Sequence, residues 1–392
     1  MSASPAQSAV LQDAASLPLP SSDKEFALLL ACCREIPRQH QRPPLSQVDW
    51  QRFLTMMDHH GVAAQISEAL QPYEGQIPPE ALRAIRESCR SNTRGALWLS
   101  SELARILQHL AARNIPTLPY KGPTLAQFLY GDLARRQFSD LDILVHAGDV
   151  KRVCGALAEI GFTAGTVLRP REEQALLQSG YELTFDSTHG RNLLEIQWQI
   201  LPRFYAVDFE MEGIFERSVP QEFAGGSIRS LCPEDLLLVL AVHAAKHLWI
   251  QLSWLCDLAT LARSPQIHWE RVVRDAKQLG IMRILLTSFE LAHQLLGTSR
   301  PSGLAGDEQV EALVARLRPL IERGETFDTE SLPYFQTIAA SRERRSDRLR
   351  FWWRLATTPS VGEWSAVYLP GPLFPFYHAV RAARLAKRAL LG

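Results

Sequence analysis

The segment Phe138-Ser-Asp140-Leu-Asp142-Ile-Leu-Val145 sets two acids into an otherwise apolar run. A continuous Ile-Leu-Val stretch fits a buried position in a sheet, so Phe138 to Val145 is predicted as a strand. Side chains two apart on a strand point to the same face, which sets the Asp140 and Asp142 carboxylates side by side. They repel one another, and burial makes both ionised forms costly. A hard divalent cation removes that conflict, because Mg²⁺ takes oxygen ligands and is commonly held by carboxylates together with substrate phosphates. A pair of such ions stabilises the attacking and leaving oxygens of a phosphoryl-type displacement. The same Asp-x-Asp spelling also arises at a strand end that faces water, so its meaning depends on its surroundings.

Those surroundings read as a small α/β unit between helical stretches. Ile115-Pro-Thr-Leu-Pro-Tyr120 is short, apolar and bracketed by prolines, as in a strand, and Lys121-Gly122-Pro123 breaks it. Thr124 is a candidate cap for a short helix through Tyr130. Asp149 to Ile160 reads as a helix closed by Gly161. Tyr181 to Asp186 and Leu193 to Leu201 alternate as strands do, and the Ser-Thr-His-Gly-Arg-Asn between them predicts a hairpin. Helical spacing recurs at Trp50 to Met57, Ala63 to Leu70, Leu97 to Ala112, Pro233 to Ala262, Trp269 to Leu279 and Ile281 to Leu296. The chain thus divides into a disordered leader (1–24), a helical lobe (25–114), an α/β core (115–231), a second helical lobe (232–341) and a basic, aromatic tail (342–392). The fold class is α+β.

Composition narrows the function. Forty-two basic residues balance 42 acidic ones, so no global field recruits nucleic acid or membrane. The six cysteines form no C-x-x-C pair and read as small buried hydrophobes in a reducing compartment. The first residues lack a basic stretch followed by a long apolar run, which argues against a signal peptide. The apolar stretch Leu236 to Val242 is far short of a membrane span of roughly 18 residues. A cytoplasmic location is expected. Nothing matches a P-loop or dinucleotide-binding fingerprint. The tail alternates arginines with tryptophan, phenylalanine and leucine, from Arg342 to Arg388. That pattern suits docking on a membrane surface or a partner, or a basic helix covering a groove of its own chain.

The run Lys121-Gly-Pro-Thr-Leu-Ala-Gln-Phe-Leu-Tyr130-Gly-Asp-Leu-Ala-Arg-Arg136-Gln-Phe-Ser139-Asp140-Leu-Asp142-Ile-Leu-Val145 resembles the uncharacterised bacterial nucleotidyltransferase family related to the polymerase-β-like superfamily. There a lysine-glycine turn precedes a short helix, and an arginine followed by Ser/Gly-Asp-x-Asp opens the metal-binding strand. The resemblance extends more weakly to Leu194-Glu195-Ile-Gln-Trp198, the helix from Pro233 to Leu261 and the tail, roughly residues 95 to 392. It implies a small polymerase-β-like core, a mixed sheet with helices, flanked by N- and C-terminal helical lobes. It implies that Asp140 and Asp142 ligate Mg²⁺ or Mn²⁺. Gly122 would let the backbone approach nucleotide phosphates, Ser139 would donate to a phosphate, and Lys121 and Arg136 would neutralise phosphate charge, Arg136 by a bidentate grip. Lys121-Gly122 stands where the wider superfamily carries Gly-Ser, and Gln197 stands where many relatives carry histidine.

A third acid is required of such a site, because two carboxylates leave much of the coordination sphere open. Glu195 is the leading candidate, ahead of Glu182, Asp186 and Glu210. If Leu193 to Leu201 pairs beside Phe138 to Val145, its carboxylate is expected within about 7 Å of Asp140 and Asp142. Glu195 is also a candidate for taking the acceptor's proton. On the helix from Pro233, if unbroken, His243, Lys246, His247, Trp254 and Asp257 fall on one face. His243, Lys246 and Asp257 are therefore candidates for the nucleotide or acceptor cleft, although a solvated face would read the same way. Two functions are in view. One is a metal-dependent nucleotidyltransferase moving NMP from an NTP to a small molecule, peptide, protein or tRNA. The other is a catalytically weak or inactive member serving as a binding or scaffold subunit of a biosynthetic cluster.

Overall fold

The computed structural model describes residues 23–34, 45–187, 190–304, 306–324 and 328–391; the expected leader falls outside them except for its last two residues. Asp23 caps the first helix by accepting from the Phe26 amide. The mixed sheet runs in the order β1-β2-β5-β4-β3. Its strands are β1 (Thr117–Pro119), β2 (Leu141–Val145), β3 (Thr163–Ala164), β4 (Glu182–Ser187) and β5 (Gly190–Gln197). β1 is antiparallel to β2, β2 is parallel to β5, and β4 and β5 form the expected hairpin. β6 (Val219–Phe223) and β7 (Gly226–Ser230) make a separate two-stranded ribbon that sequence patterning did not reveal. The molecule is α+β with this mixed sheet among helices.

Leu141, Ile143, Leu144 and Val145 are fully buried, as a strand covered on both faces requires. Leu141, Ile143 and Val145 pack with Leu194 and Ile196 under helices α1 (Pro79–Ala111) and α3 (Val150–Glu159). Leu118, Tyr120 and Leu144, on the opposite face, join a larger core. To it the N-terminal helices contribute Phe26 and Phe53, and the C-terminal ones Leu285, Leu317 and Phe351. The two helical stretches therefore form one body over one face of the sheet, and that face carries Asp142. Helix α2 (Gly122–Tyr130) follows β1 and packs on β2.

Two expectations need correction. The strand expected from Phe138 starts only at Leu141, so Asp140 stands one residue ahead of it. The helix expected to run unbroken from Pro233 to Ala262 is two helices, α4 (Pro233–Lys246) and α5 (Leu252–Ala262). Leu248 and Trp249 adopt positive φ between them, and Trp249 is fully buried with its indole N–H donated to Ser288 at 2.8 Å. Burial of that large side chain stabilises a backbone turn that periodicity alone does not signal. In the tail, Arg342 is buried and donates to the Ala206 and Leu279 carbonyls. Arg354 pairs with Asp208, Arg381 and Arg384 with Glu363, and Arg388 with Glu330. Much of the tail's positive charge is thus neutralised within the chain. Among the described residues no helix is long and apolar enough to cross a membrane.

His60 joins the two helical stretches: it is fully buried and its Nδ1 accepts from the Leu252 amide at 3.4 Å. Burial, then the neighbouring His59, pushes its pKa down to about 3 from 6.5. The folded state keeps His60 neutral while the unfolded chain protonates near 6.5. Its contribution is therefore whole above that pH and is lost as pH falls toward 3. His60→Gln should flatten the acid limb of stability, recovering about 2–3 kcal/mol between pH 6.5 and about 4.5. Chemical denaturation at the two pH values reads this; an unchanged slope would show that His60 does not titrate on unfolding.

Candidate active site

The site is set by strand register. Asp142 on β2 lies directly opposite Glu195 on β5, and across the hairpin Glu182 lies opposite Gln197. Residues opposite one another in a sheet share a face, so these four side chains converge on the side turned to the helical body. The Gln197 amide nitrogen stands among them, donating to Asp142 at 3.2 Å, Glu195 at 2.9 Å and Glu182 at 3.4 Å. One nitrogen within reach of both Asp142 and Glu195 meets the proximity expected of that pair. Tyr120 donates its hydroxyl to the Gln197 carbonyl oxygen, which turns the NH₂ end toward the acids. Glu182, weighed and set aside on sequence, is a fourth member.

Crowding acids into a partly buried cluster shows in the protonation of Glu195 and Asp140. Burial, then Asp142 and Glu182, pushes Glu195 up to about 8. Burial and Asp142 also raise Asp140, against the pull of Lys121 and Arg136. Lys121 supplies the missing charge. Burial opposes its ionisation, but Asp142, Tyr120 and Asp140 together outweigh burial and hold the ammonium charged. Its Nζ donates to Asp142 Oδ1 at 2.6 Å, with the two side chains only 10% and 2% exposed. Among the described residues no three His, Cys, Asp or Glu side chains gather as a ready ion-binding group; Lys121 and the Gln197 amide stand between the acids.

Gly122 shapes the turn that delivers Lys121. Its φ is +56°, and a Cβ there would lie 3.0 Å from the Asp140 carbonyl oxygen. The close approach for which glycine is needed is thus to the backbone of Asp140. Thr124 donates to the Lys121 carbonyl within the same turn. Ser139 is exposed one residue ahead of Asp140.

The remaining candidates come from the helical body. Arg136 Nε donates to Asp257 Oδ2 at 2.8 Å, and Tyr130 donates to the other Asp257 oxygen at 2.8 Å. Asp257, on α5, is therefore an internal anchor for the loop that carries Asp140, and Arg136 is part of that anchor. His243, His247 and Trp254 form a ring cluster with centroids 4.9 to 5.3 Å apart, despite the break between α4 and α5. Burial, then Lys121 and other cations, holds His243 well below its ordinary range, and burial and Lys246 bring His247 to about 3. Both rings are neutral at physiological pH. Lys246 donates to the Tyr181 hydroxyl at 2.8 Å, and Tyr181 in turn donates to Glu182; burial lowers the lysine's pKa against the pull of Glu182. The candidates from the core and from α4 and α5 thus lie around one acid cluster. Tyr120 and Tyr181 were not foreseen. Counting back along the hairpin from its turn would have placed Tyr181 and Glu182 beside Gln197.

The Arg136–Asp257 pair is buried at both ends. Removing one partner strands the other's charge, so Arg136→Met should cost about 3–5 kcal/mol in urea unfolding. The double variant Arg136→Met/Asp257→Asn should recover much of it. A negligible cost for the single variant would make the pair dispensable to the fold.

No curated protein matches the chain. Among solved structures, it overlaps an antigenic nucleotidyltransferase-like protein from Paracoccidioides brasiliensis at 13% identity. That overlap covers 53% of this chain and 95% of that one, with a TM-score of 0.31, too loose to bear on the site. The family model described as uncharacterised nucleotidyltransferase matches residues 46–297. It begins earlier than the motif resemblance and stops before the tail. With the Asp-x-Asp strand, the lysine-glycine turn and Glu195 all inside the matched region, the chain belongs to that nucleotidyltransferase family.

Proposed function

We propose that the chain is a metal-dependent nucleotidyltransferase, moving a nucleoside monophosphate from an NTP to the hydroxyl or phosphate of an acceptor. The observation that carries the reading is the register pair Asp142–Glu195, with Asp140 beside it and the cations Lys121 and Arg136 at its edge. The donor set is all carboxylate, and burial together with the neighbouring Asp142 and Glu182 pushes Glu195 up to about 8; both fit a hard divalent cation. Mg²⁺ or Mn²⁺ held by Asp140, Asp142 and Glu195 would supply charge neutralisation to the attacking and leaving oxygens of the transfer.

The chain's own residues do the rest. Arg136, fixed by Asp257, holds the loop before β2 so that Asp140 faces the cluster. Ser139, exposed at the mouth, is placed to donate to a phosphate oxygen. Gly122 keeps the turn close to Asp140. Lys246, through Tyr181 and Glu182, and the neutral His243 approach the acid cluster from α4, where an amine and two uncharged rings suit a nucleotide or an anionic acceptor. The acceptor class is drawn from small molecules, peptides, proteins and tRNA.

The first test is incubation with each labelled NTP and Mg²⁺ or Mn²⁺, following pyrophosphate release and self-labelling. Metal-dependent nucleotide binding with no turnover on any acceptor class would favour the binding-subunit alternative. Asp140→Ala and Asp142→Ala should both abolish that binding, yet differ in stability. Burial and Asp142 both work against the ionised form of Asp140, so its loss should leave the metal-free protein no less stable. Asp142→Ala strands the buried Lys121 ammonium and should cost about 3–5 kcal/mol. Thermal melts in EDTA separate the two. Full nucleotide binding by either variant would refute the metal-site reading.

A further inference from the structure

We propose that Lys121 is a resident counter-ion that holds Asp142 when no divalent cation is bound, yields it when one arrives, and is only then free to meet a nucleotide phosphate. This inference rests on the metal-site reading above and adds an order to it: metal first, lysine to phosphate second.

The geometry points this way on three grounds. Lys121 Nζ is already on Asp142 Oδ1 at 2.6 Å, and Asp142 is the carboxylate that faces Glu195 in register. An ammonium at that oxygen and a dication shared with Glu195 would be like charges within a few ångströms in a buried setting, so the two are alternatives. The lysine is also the exchangeable cation of the site. Arg136 Nε is committed to Asp257 on α5, whereas Lys121 stands at the end of β1 on a flexible four-carbon stem, at a turn whose Gly122 lies against the Asp140 backbone. Finally, the Gln197 amide also donates to Asp142 Oδ1. When the lysine leaves, its position is therefore the vacated cation site of a carboxylate still held in place.

The consequence is a pair of effects with opposite signs. Replacing Lys121 removes an internal competitor for the metal and a partner for the phosphate. Lys121→Met should bind Mn²⁺ without nucleotide about tenfold to a hundredfold more tightly than the unaltered chain, the equivalent of one charged hydrogen bond. It should bind the Mn²⁺–ATP complex more weakly. Lys121→Arg, which keeps the charge, should stay near the unaltered chain for Mn²⁺ alone. Mn²⁺ titration followed by electron paramagnetic resonance reads all three, with Asp140→Ala as the non-binding control. A second measurement needs no variant: acylation of Lys121, followed by mass spectrometry, should be slow in EDTA and accelerate at saturating Mn²⁺ in the full chain. This labelling decides the matter alone if Lys121→Met does not fold. Mn²⁺ binding with no tightening in Lys121→Met, or with labelling of Lys121 indifferent to the metal, overturns the exchange while leaving the metal site standing. No Mn²⁺ binding by the unaltered chain overturns the metal site itself, and the exchange with it.

Discussion

The constraint on which the site depends is the pairing of Asp142 with Glu195 across two parallel strands. In-register residues cannot turn away from one another, and the face they share is the one covered by the helical body. Two carboxylates are thus forced together where water is scarce, and Glu182 arrives on the next strand by the same register. Such a cluster is tolerated only if charge or hydrogen bonds are brought to it. The chain brings Lys121 from the end of β1 and the Gln197 amide from β5 itself, and Tyr120 fixes which end of that amide faces the acids.

The cations around the cluster divide by how firmly they are held. Arg136 has a buried partner of its own on another element, and Tyr130 satisfies the second oxygen of that partner. It ties the loop before β2 to α5 and so couples the placement of Asp140 to the C-terminal helices. Among the described residues Lys121 has no such separate anchor; its ion-pair partner is Asp142 of the acid cluster. The sequence offered both side chains for phosphate on equal terms, and the fold makes the two residues different. A guanidinium fixed at Nε is suited to holding a loop, and an ammonium on a long stem is suited to changing partners.

What was legible in the sequence was what local pattern determines. The apolar run through Val145 announced β2, and the alternation around residues 188–189 announced the hairpin. With those two placed, the face that Glu195 shares with Asp142 followed by parity, since a one-residue slip would have turned Leu194 and Ile196 to the acid face. The break at Leu248 and Trp249 was not legible, because it depends on burying Trp249 against Ser288, far away in sequence. The roles of Arg136 and Asp257 were hidden for the same reason: 121 residues separate them. Both were picked out for the nucleotide, and in the structure each is the other's buried partner. The β6–β7 ribbon carries only a weak alternation, and it escaped notice.

Gln197 shows what an amide contributes at the centre of such a cluster. Neutral histidine at this position would offer a single ring N–H, and as a cation it would compete with Lys121 for the same acids. An amide offers two N–H donors from one nitrogen and stays uncharged at every pH, so it bridges Asp142, Glu195 and Glu182 without settling their charge. The cluster keeps its surplus of negative charge, which is what a divalent cation needs, and Lys121 remains the only buried ammonium set directly on Asp142 among the described residues. The orientation of the amide depends in turn on Tyr120, whose hydroxyl burial keeps protonated and donating. With an amide rather than a titrating ring at its centre, the acid cluster is held by a fixed hydrogen-bond relay, and exchange of charge is left to the lysine.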